Sequence, residues 1–252
     1  MSVRRIFSIA LLLLVTSACV PLRERHLALP RVSWSDDFVT HTYYALTYSE
    51  EHELPEWTAY TLSREKTFPV VDRSYSYRPD PLVETKTADS DDYNRSGYDR
   101  GHLVPARDMA FDSIAQAEVN YMSNITPQDR GFNRGIWRTL EAKVRKWAVV
   151  WDSVMIVSGP ILEAGLDSIG KENNISVPRK FFKALLVHTD TCTSAIAFVI
   201  PNEKQTGRDH MEFAVSIDSL EILTGINFFH RLPRKIEKET EAEFDPEFWK
   251  LQ

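Results

Sequence analysis

The chain has 252 residues, 43% hydrophobic and 26% charged, enough apolar material for the core of one globular domain and too little length for a second large one. Its formal charge is −6, and loss of residues 1–18, which hold Arg4 and Arg5 and no acids, would take it to −8. That balance excludes a protein that holds nucleic acid by overall positive charge alone.

In chain order, Arg4 and Arg5 precede an apolar run from Ile6 to Val15 that ends in Thr16-Ser17-Ala18-Cys19. The run is shorter than the ~20 apolar residues needed to cross a bilayer. Residues 1–18 therefore read as a signal peptide and the chain as an exported protein. Cys19 stands where a bacterial lipoprotein carries its acylated cysteine, which implies a lipid anchor in the cell envelope, facing periplasm or surface. Thr16 departs from the Leu or Val usual in that signal. The alternative is cleavage after Ala18 and a disulfide between Cys19 and Cys192, the only other cysteine. Residues 19–39, polar and proline-interrupted, read as a tether; 40–233 as the folded domain; and 234–252 as an acidic C-terminal tail.

Within the domain, Tyr43 to Tyr48 and Trp57 to Leu62 are aromatic and β-branched runs that predict an antiparallel pair. Asp72 to Ser96, rich in Asp, Ser, Tyr, Arg and Pro, predicts a long irregular loop. Asp112 to Tyr121 predicts a helix capped by Asp112 or Ser113. The clearest helix is expected over Gly135 to Trp151, where Ile136, Trp137, Leu140, Val144, Trp147 and Ala148 fall on one face and Arg134, Arg138, Glu141 and Arg145 on a second stripe. Val154 to Val157 predicts a buried strand, and Lys180 to His188 with Thr193 to Ile200 a hairpin. Ser216 to Leu223 predicts a short helix stopped by Gly225; Phe228 and Phe229 are expected to close the core.

The chemistry concentrates in Tyr98 to Met109, Y-D-R-G-H-L-V-P-A-R-D-M, which sets a histidine among phosphate-binding donors. From Tyr98 to Trp147 the chain is locally basic, with eight Lys/Arg against six acids. Two further motifs follow, S-N-I-T-P-Q at Ser123 to Gln128 and F-N-R-G-I-W-R-T-L-E at Phe132 to Glu141. With these the sequence resembles the DNA/RNA non-specific endonucleases of the ββα-metal fold, the family that includes endonuclease G, over most of Trp57 to Pro233. The resemblance implies an α+β fold: a central, mainly antiparallel sheet flanked by helices, with the ββα-metal element over about Gly101 to Val150. It implies a Mg²⁺-dependent endonuclease, with Mn²⁺ or Ca²⁺ as alternative ions, that cleaves DNA and RNA with little sequence preference and leaves 5′-phosphate ends.

Phosphodiester hydrolysis needs a base for water, a cation facing the developing charge, and help for the departing oxygen. His102 fits the base, since neutral imidazole can take a proton near pH 7 and Gly101 lets the backbone come close. The resemblance assigns Asn133 to the metal, Asn124 to orienting the centre, with satisfaction of its own loop backbone as the alternative, and Arg73 to the scissile phosphate, with Arg78 as competitor. Glu141, eight residues after Asn133, would orient metal-bound waters. Arg145 would meet the leaving phosphate or pair with Glu141 along the helix. Arg100 would contact phosphate or brace its loop, and Asp99 would hold the turn by pairing with backbone or arginine. Tyr43, Tyr44, Trp57, Tyr75 and Tyr77 are candidates for stacking on bases, with Tyr75 and Tyr77 best placed beside Arg73. Two other readings stay open: a phosphodiesterase restricted to one nucleic acid, and an envelope lipoprotein that binds nucleic acid or protein without cleaving.

Overall fold

The computed structural model describes residues 27–33, 37–171 and 173–250. The runs with alternating or continuous apolar character become strands: β1 (Asp37–Thr40), β2 (Ala45–Ser49) and β3 (Leu54–Ser63) at the start, then β4 (Asp99–His102). Helix α1 (Ser113–Glu118), strand β5 (Ile125–Gln128) and helix α2 (Arg138–Val150) follow. The second half holds β6 (Ser153–Pro160), the short β7 (Ser168–Ile169) and β8 (Ile175–Ser176), and the hairpin β9 (Lys180–His188) and β10 (Thr193–Pro201). It ends with β11 (Ala214–Val215), α3 (Ile217–Thr224) and α4 (Arg234–Ala242).

Seven strands form one antiparallel sheet in the order β1-β2-β3-β6-β9-β10-β11. The alternation of side chains sorts each strand between two cores. Ile156, Phe181 and Leu185 point into one, with Trp137, Leu140, Val144 and Trp147 of the α2 region. Val157, Phe182 and Leu186 point into the other, with Ile217 and Leu220 of α3 and with Phe228 and Phe229. β6 and β9 are thus buried on both faces, which is why they lack polar alternation.

Helix starts follow local chemistry. The Asp112 carboxylate accepts from the amides of Ile114 and Ala115, and the Ser216 hydroxyl caps α3 through the Ser219 amide. Gly225, at φ 73°, ends α3 in the left-handed conformation that a side chain would resist. The helix expected from Gly135 begins as a regular α-helix only at Arg138, after a wide π-type turn over Phe132–Trp137 in which Gly135 leaves helical geometry. All six apolar positions of the expected seam are nevertheless buried.

Both ends of the domain differ from the sequence reading. The boundary drawn at residue 40 falls inside β1, and Leu27 and Ala28, read as tether, are buried in the α3 core. A strand at the sheet edge gains its order from backbone pairing, and only Val39 of β1 is buried, so no apolar pattern announces it. The tail is also part of the fold: α4 lies against β10, Trp249 meets Trp147 edge-on at 5.1 Å between ring centroids, and Phe248 stacks on Trp151 at 4.4 Å. Its charged composition hides those aromatic anchors. Residues 1–18 and Cys19 lie outside the described residues, so the signal, lipid-anchor and disulfide readings are not addressed by the fold. Among the described residues no helix is long and apolar enough to cross a membrane.

Candidate active site

β4 and β5 form a two-stranded finger in front of the sheet, with His102 opposite Ile125 and Gly101 opposite Thr126. With α2 they make the ββα unit expected from the motifs. Gly101 is required by space: a Cβ there would lie 2.0 Å from the Gln128 side chain, so a larger residue would push the finger apart. Together with the loop that carries Arg73 to Tyr77, the ββα unit encloses a cleft of about 580 Å³. His102, Asn133, Glu141, Arg73, Arg100 and Arg145 all line it.

His102 is buried at 7% exposure, with its Nε2 3.4 Å from Asn120 Oδ1. The Asn120 amide nitrogen donates to the Gln116 carbonyl, which fixes the amide oxygen as the face turned to the ring. In the tautomer that supplies a proton to this contact, Nδ1 carries the lone pair. Burial pushes the His102 pKa down to about 4; the Arg73 charge acts in the same direction and the Asn120 contact opposes both. The imidazole is neutral at pH 7, the state a base needs. Asp99, three residues before His102 in sequence, is engaged elsewhere.

Asp99 receives Arg134 in a bidentate pair at 2.7 and 2.8 Å and the Asn133 amide nitrogen at 3.1 Å. Burial alone would raise its pKa, yet these donors hold it below the ordinary value. Because the nitrogen of Asn133 is occupied, its amide oxygen is the atom left for another partner. Glu141, two helical turns on, lines the same cleft and is the carboxylate nearest in role. One neutral amide oxygen and one carboxylate, with room for water, suit a hard divalent cation of the Mg²⁺ type that keeps much of its hydration. The residues present therefore fit such an ion.

Burial also raises the pKa of Glu141, Asp108 adds to the rise, and Lys183, Arg145 and Arg73 counter it. Lys183 is the unexpected member of this group. It is 1% exposed, donates to the Ser158 hydroxyl at 2.5 Å and sits 4.5 Å from the Trp137 ring centroid. A single lysine in the apolar run F-F-K-A-L-L-V was its sequence signal, since a strand buried on both faces has no solvent for a charge.

For three residues the structure selects one of the expected roles or supplies another partner. Asn124 does not line the cleft: its oxygen accepts from the Val104 amide and its nitrogen donates to the carbonyls of Val104 and Val119. Fully buried, it staples the loop after β4, and Asn120 is the amide that meets His102. Arg100 is committed to bracing, through Ser90 and Asn94, with its guanidinium over Tyr77 and Tyr93. Arg145 donates to the buried Asp108 at 2.7 Å, whose other oxygen takes the Tyr60 hydroxyl at 2.7 Å, so the Glu141–Arg145 helical pair is replaced.

Between the two arginines in competition, Arg73 lines the cleft, stacked 4.8 Å from the Tyr75 ring centroid. Arg78 instead stacks on Tyr121 outside it. Tyr75 and Tyr77 line the cleft, whereas Tyr44 and Trp57 are core residues and Tyr43 packs edge-on against Phe111. Six arginines and two carboxylates in one cleft make it electropositive on an acidic protein. Among the described residues Arg73, Arg107 and Arg138 have no carboxylate within ion-pair distance.

A family model described as DNA/RNA non-specific endonuclease matches residues 30–235. The mitochondrial nuclease EXOG of Homo sapiens is 34% identical over 210 residues, which cover 77% of this chain and 57% of that protein. Nuclease C1 of Cunninghamella echinulata var. echinulata is 32% identical over 211 residues, 78% of this chain and 84% of that one. A chain from the crystal structure of the EndoG/EndoGI complex superposes with a TM-score of 0.77 at 28% identity, covering 84% of this chain and 92% of that chain. The chain spans about three fifths of the length of the mitochondrial EXOG relatives.

Proposed function

The chain belongs to the DNA/RNA non-specific endonuclease family, and from that premise we propose that it is a metal-dependent endonuclease hydrolysing phosphodiester bonds of DNA and RNA with little sequence preference. The observation that carries this reading is the convergence, on one electropositive cleft, of a neutral buried histidine and, among the described residues, an amide oxygen without a protein partner and arginines without carboxylate partners.

His102 takes a proton from the attacking water through Nδ1, while Asn120 holds the ring from the Nε2 side. Arg73 faces the phosphate whose charge grows in the transition state, and Arg107 and Arg138 follow the backbone on either side. Asn133, oriented by Asp99, and Glu141 would hold a Mg²⁺-type ion, which when bound supplies charge stabilisation at the phosphate oxygens. Tyr75 and Tyr77 offer ring faces to bases of any identity, which favours loose sequence choice.

Conversion of supercoiled plasmid and of single-stranded RNA by the purified protein, with Mg²⁺ and after chelation, tests the proposal. Cleavage of both substrates that stops on chelation is expected. Retention of both substrates without cleavage would favour the binding-only reading, and cleavage of one sugar type alone the restricted phosphodiesterase.

Export and lipid attachment at Cys19 form a separate part of the proposal, supported by the basic flank, the short apolar run and the small residues before the cysteine. Intact mass of protein extracted from membranes should carry the added lipid, and a soluble product with Cys19 joined to Cys192 would contradict it.

A further inference from the structure

On the face of the sheet away from the cleft, α3 and α4 bring together a second group of acids. Asp218 and Glu221 lie one turn apart on α3, and Glu241 lies in the last turn of α4. One carboxylate oxygen from each falls within 4.8 Å of the others. Three oxygens bound to one Ca²⁺ at 2.3–2.6 Å stand at most ~5 Å apart, so the spacing matches a shared ion. Surface acids often cluster without one. What distinguishes this group is Glu241, 6% exposed, whose Oε1 is buried with no hydrogen-bond partner.

The surroundings offer that oxygen no relief. Burial and the neighbouring charges of Glu221, Glu237 and Asp218, all acidic, push the Glu241 carboxyl up to about 8. The C-terminal end of a helix also disfavours negative charge, and Glu241 sits there. Glu221 is held in place because one of its oxygens accepts the Phe228 amide at 2.7 Å, fixing the loop that closes the α3 core. The other oxygen remains available to a ligand.

We propose that Asp218, Glu221 and Glu241 form a divalent-cation site of the Ca²⁺ class that ties α3 to α4, with water completing the shell. It is a structural site, separated from the catalytic cleft by the central sheet, and its occupancy changes stability. The proposal stands whether or not the protein cleaves nucleic acid.

Thermal unfolding of the purified protein in EDTA and in Ca²⁺, without substrate, tests it. At a Ca²⁺ concentration about a hundred times the dissociation constant, Tm should rise by about 5–10 °C. The rise should persist in Asn133→Ala and vanish in Glu241→Gln, whose Tm in EDTA should equal or exceed that of the wild type because the cost of keeping a carboxyl buried among other acids is gone. Asp218→Asn, at an exposed position that leaves packing intact, should reduce the rise and serves if Glu241→Gln fails to fold. Equal Tm in EDTA and Ca²⁺ would overturn the site and leave Glu241 as a protonated buried acid. A rise lost in Asn133→Ala and kept in Glu241→Gln or Asp218→Asn would assign the ion to the cleft and overturn it equally.

Discussion

The two faces of the central sheet are built from different materials. Against the face that carries α2 and the β4–β5 finger lie the buried polar groups His41, Asp80, His102, Asp108, Asn120, Asn124 and Lys183. Against the other lie Trp57, Phe182, Ile217, Leu220, Phe228 and Phe229, with Thr47, Thr61 and Glu241 as buried polar groups among them. Burying a polar group is costly unless it is partnered, and each buried apolar side chain contributes about 1.5–3 kcal/mol. The cost of the polar groups on the cleft face is therefore offset by the large apolar core on that same face together with the core on the back. The partners of the cleft's polar groups are arranged so that, among the described residues, His102 Nδ1 and the Asn133 oxygen have no hydrogen-bond partner and the guanidinium of Arg73 has no carboxylate, only the ring of Tyr75.

That contrast predicts which substitutions change rate and which change stability. The largest effect should come from His102→Ala, with a rate loss of ~10²–10⁴ that added Mg²⁺ does not repair. Asn133→Ala should lose rate in a way that shrinks as Mg²⁺ is raised. Plasmid nicking against Mg²⁺ concentration checks both, and near wild-type turnover in His102→Ala, or unchanged metal dependence in Asn133→Ala, would remove the assigned roles.

On the back face, Phe228→Ala should destabilise by ~3–5 kcal/mol, the cost of truncating a buried aromatic ring. Turnover per folded molecule should stay unchanged. Urea unfolding beside activity at low denaturant measures the two separately; a large loss of turnover in the folded fraction would break the division between the faces.

The third prediction concerns pH. Between the ordinary histidine pKa near 6.5 and the folded value of about 4, the unfolded chain binds a proton at His102 that the folded chain does not. Stability from this group is therefore complete above pH 6.5 and declines as pH falls toward 4, by about 3 kcal/mol in all. Unfolding free energies of wild type and His102→Asn should diverge by that amount in total between pH 7 and pH 4. Parallel profiles would mean that the ring is not held neutral.

The smallest effect should be at the rim of the cleft. Arg138→Ala should weaken substrate binding a few-fold without sequence preference and lower the salt dependence of log K by about one. Rates at several salt concentrations check it, and an unchanged slope would place Arg138 off the phosphate path.

Much of this site was legible in the chain before any fold was known. Residues 98–109 and 132–141 carried His102, Asn133 and Glu141, His102 by its own chemistry beside Gly101 and Asn133 through motifs that resemble a known family, because short motifs keep such residues adjacent. The stripe Arg134, Arg138, Glu141 and Arg145 followed from helical period, and the cleft contains all four. Not legible was how each polar group is engaged. Asn120 and Asn124 lie four residues apart with the same side chain, yet one meets His102 and the other ties the loop after β4.

By itself, then, the sequence determined strands β2, β3, β6, β9 and β10 and the apolar seam of α2, which follow from spacing along one segment, while the ββα unit entered through resemblance to a known family. Only the tertiary structure decided that Arg100 braces Ser90 while Arg73 faces the cleft, that Asp108 takes Arg145, and that Lys183 lies beneath Glu141. It also decided that β1 and Trp249 belong to the domain. The reason is physical: periodicity sets which way a side chain points, but a hydrogen bond or ion pair is won by whichever distant partner the packed fold brings within about 3 Å, and no local pattern records that competition.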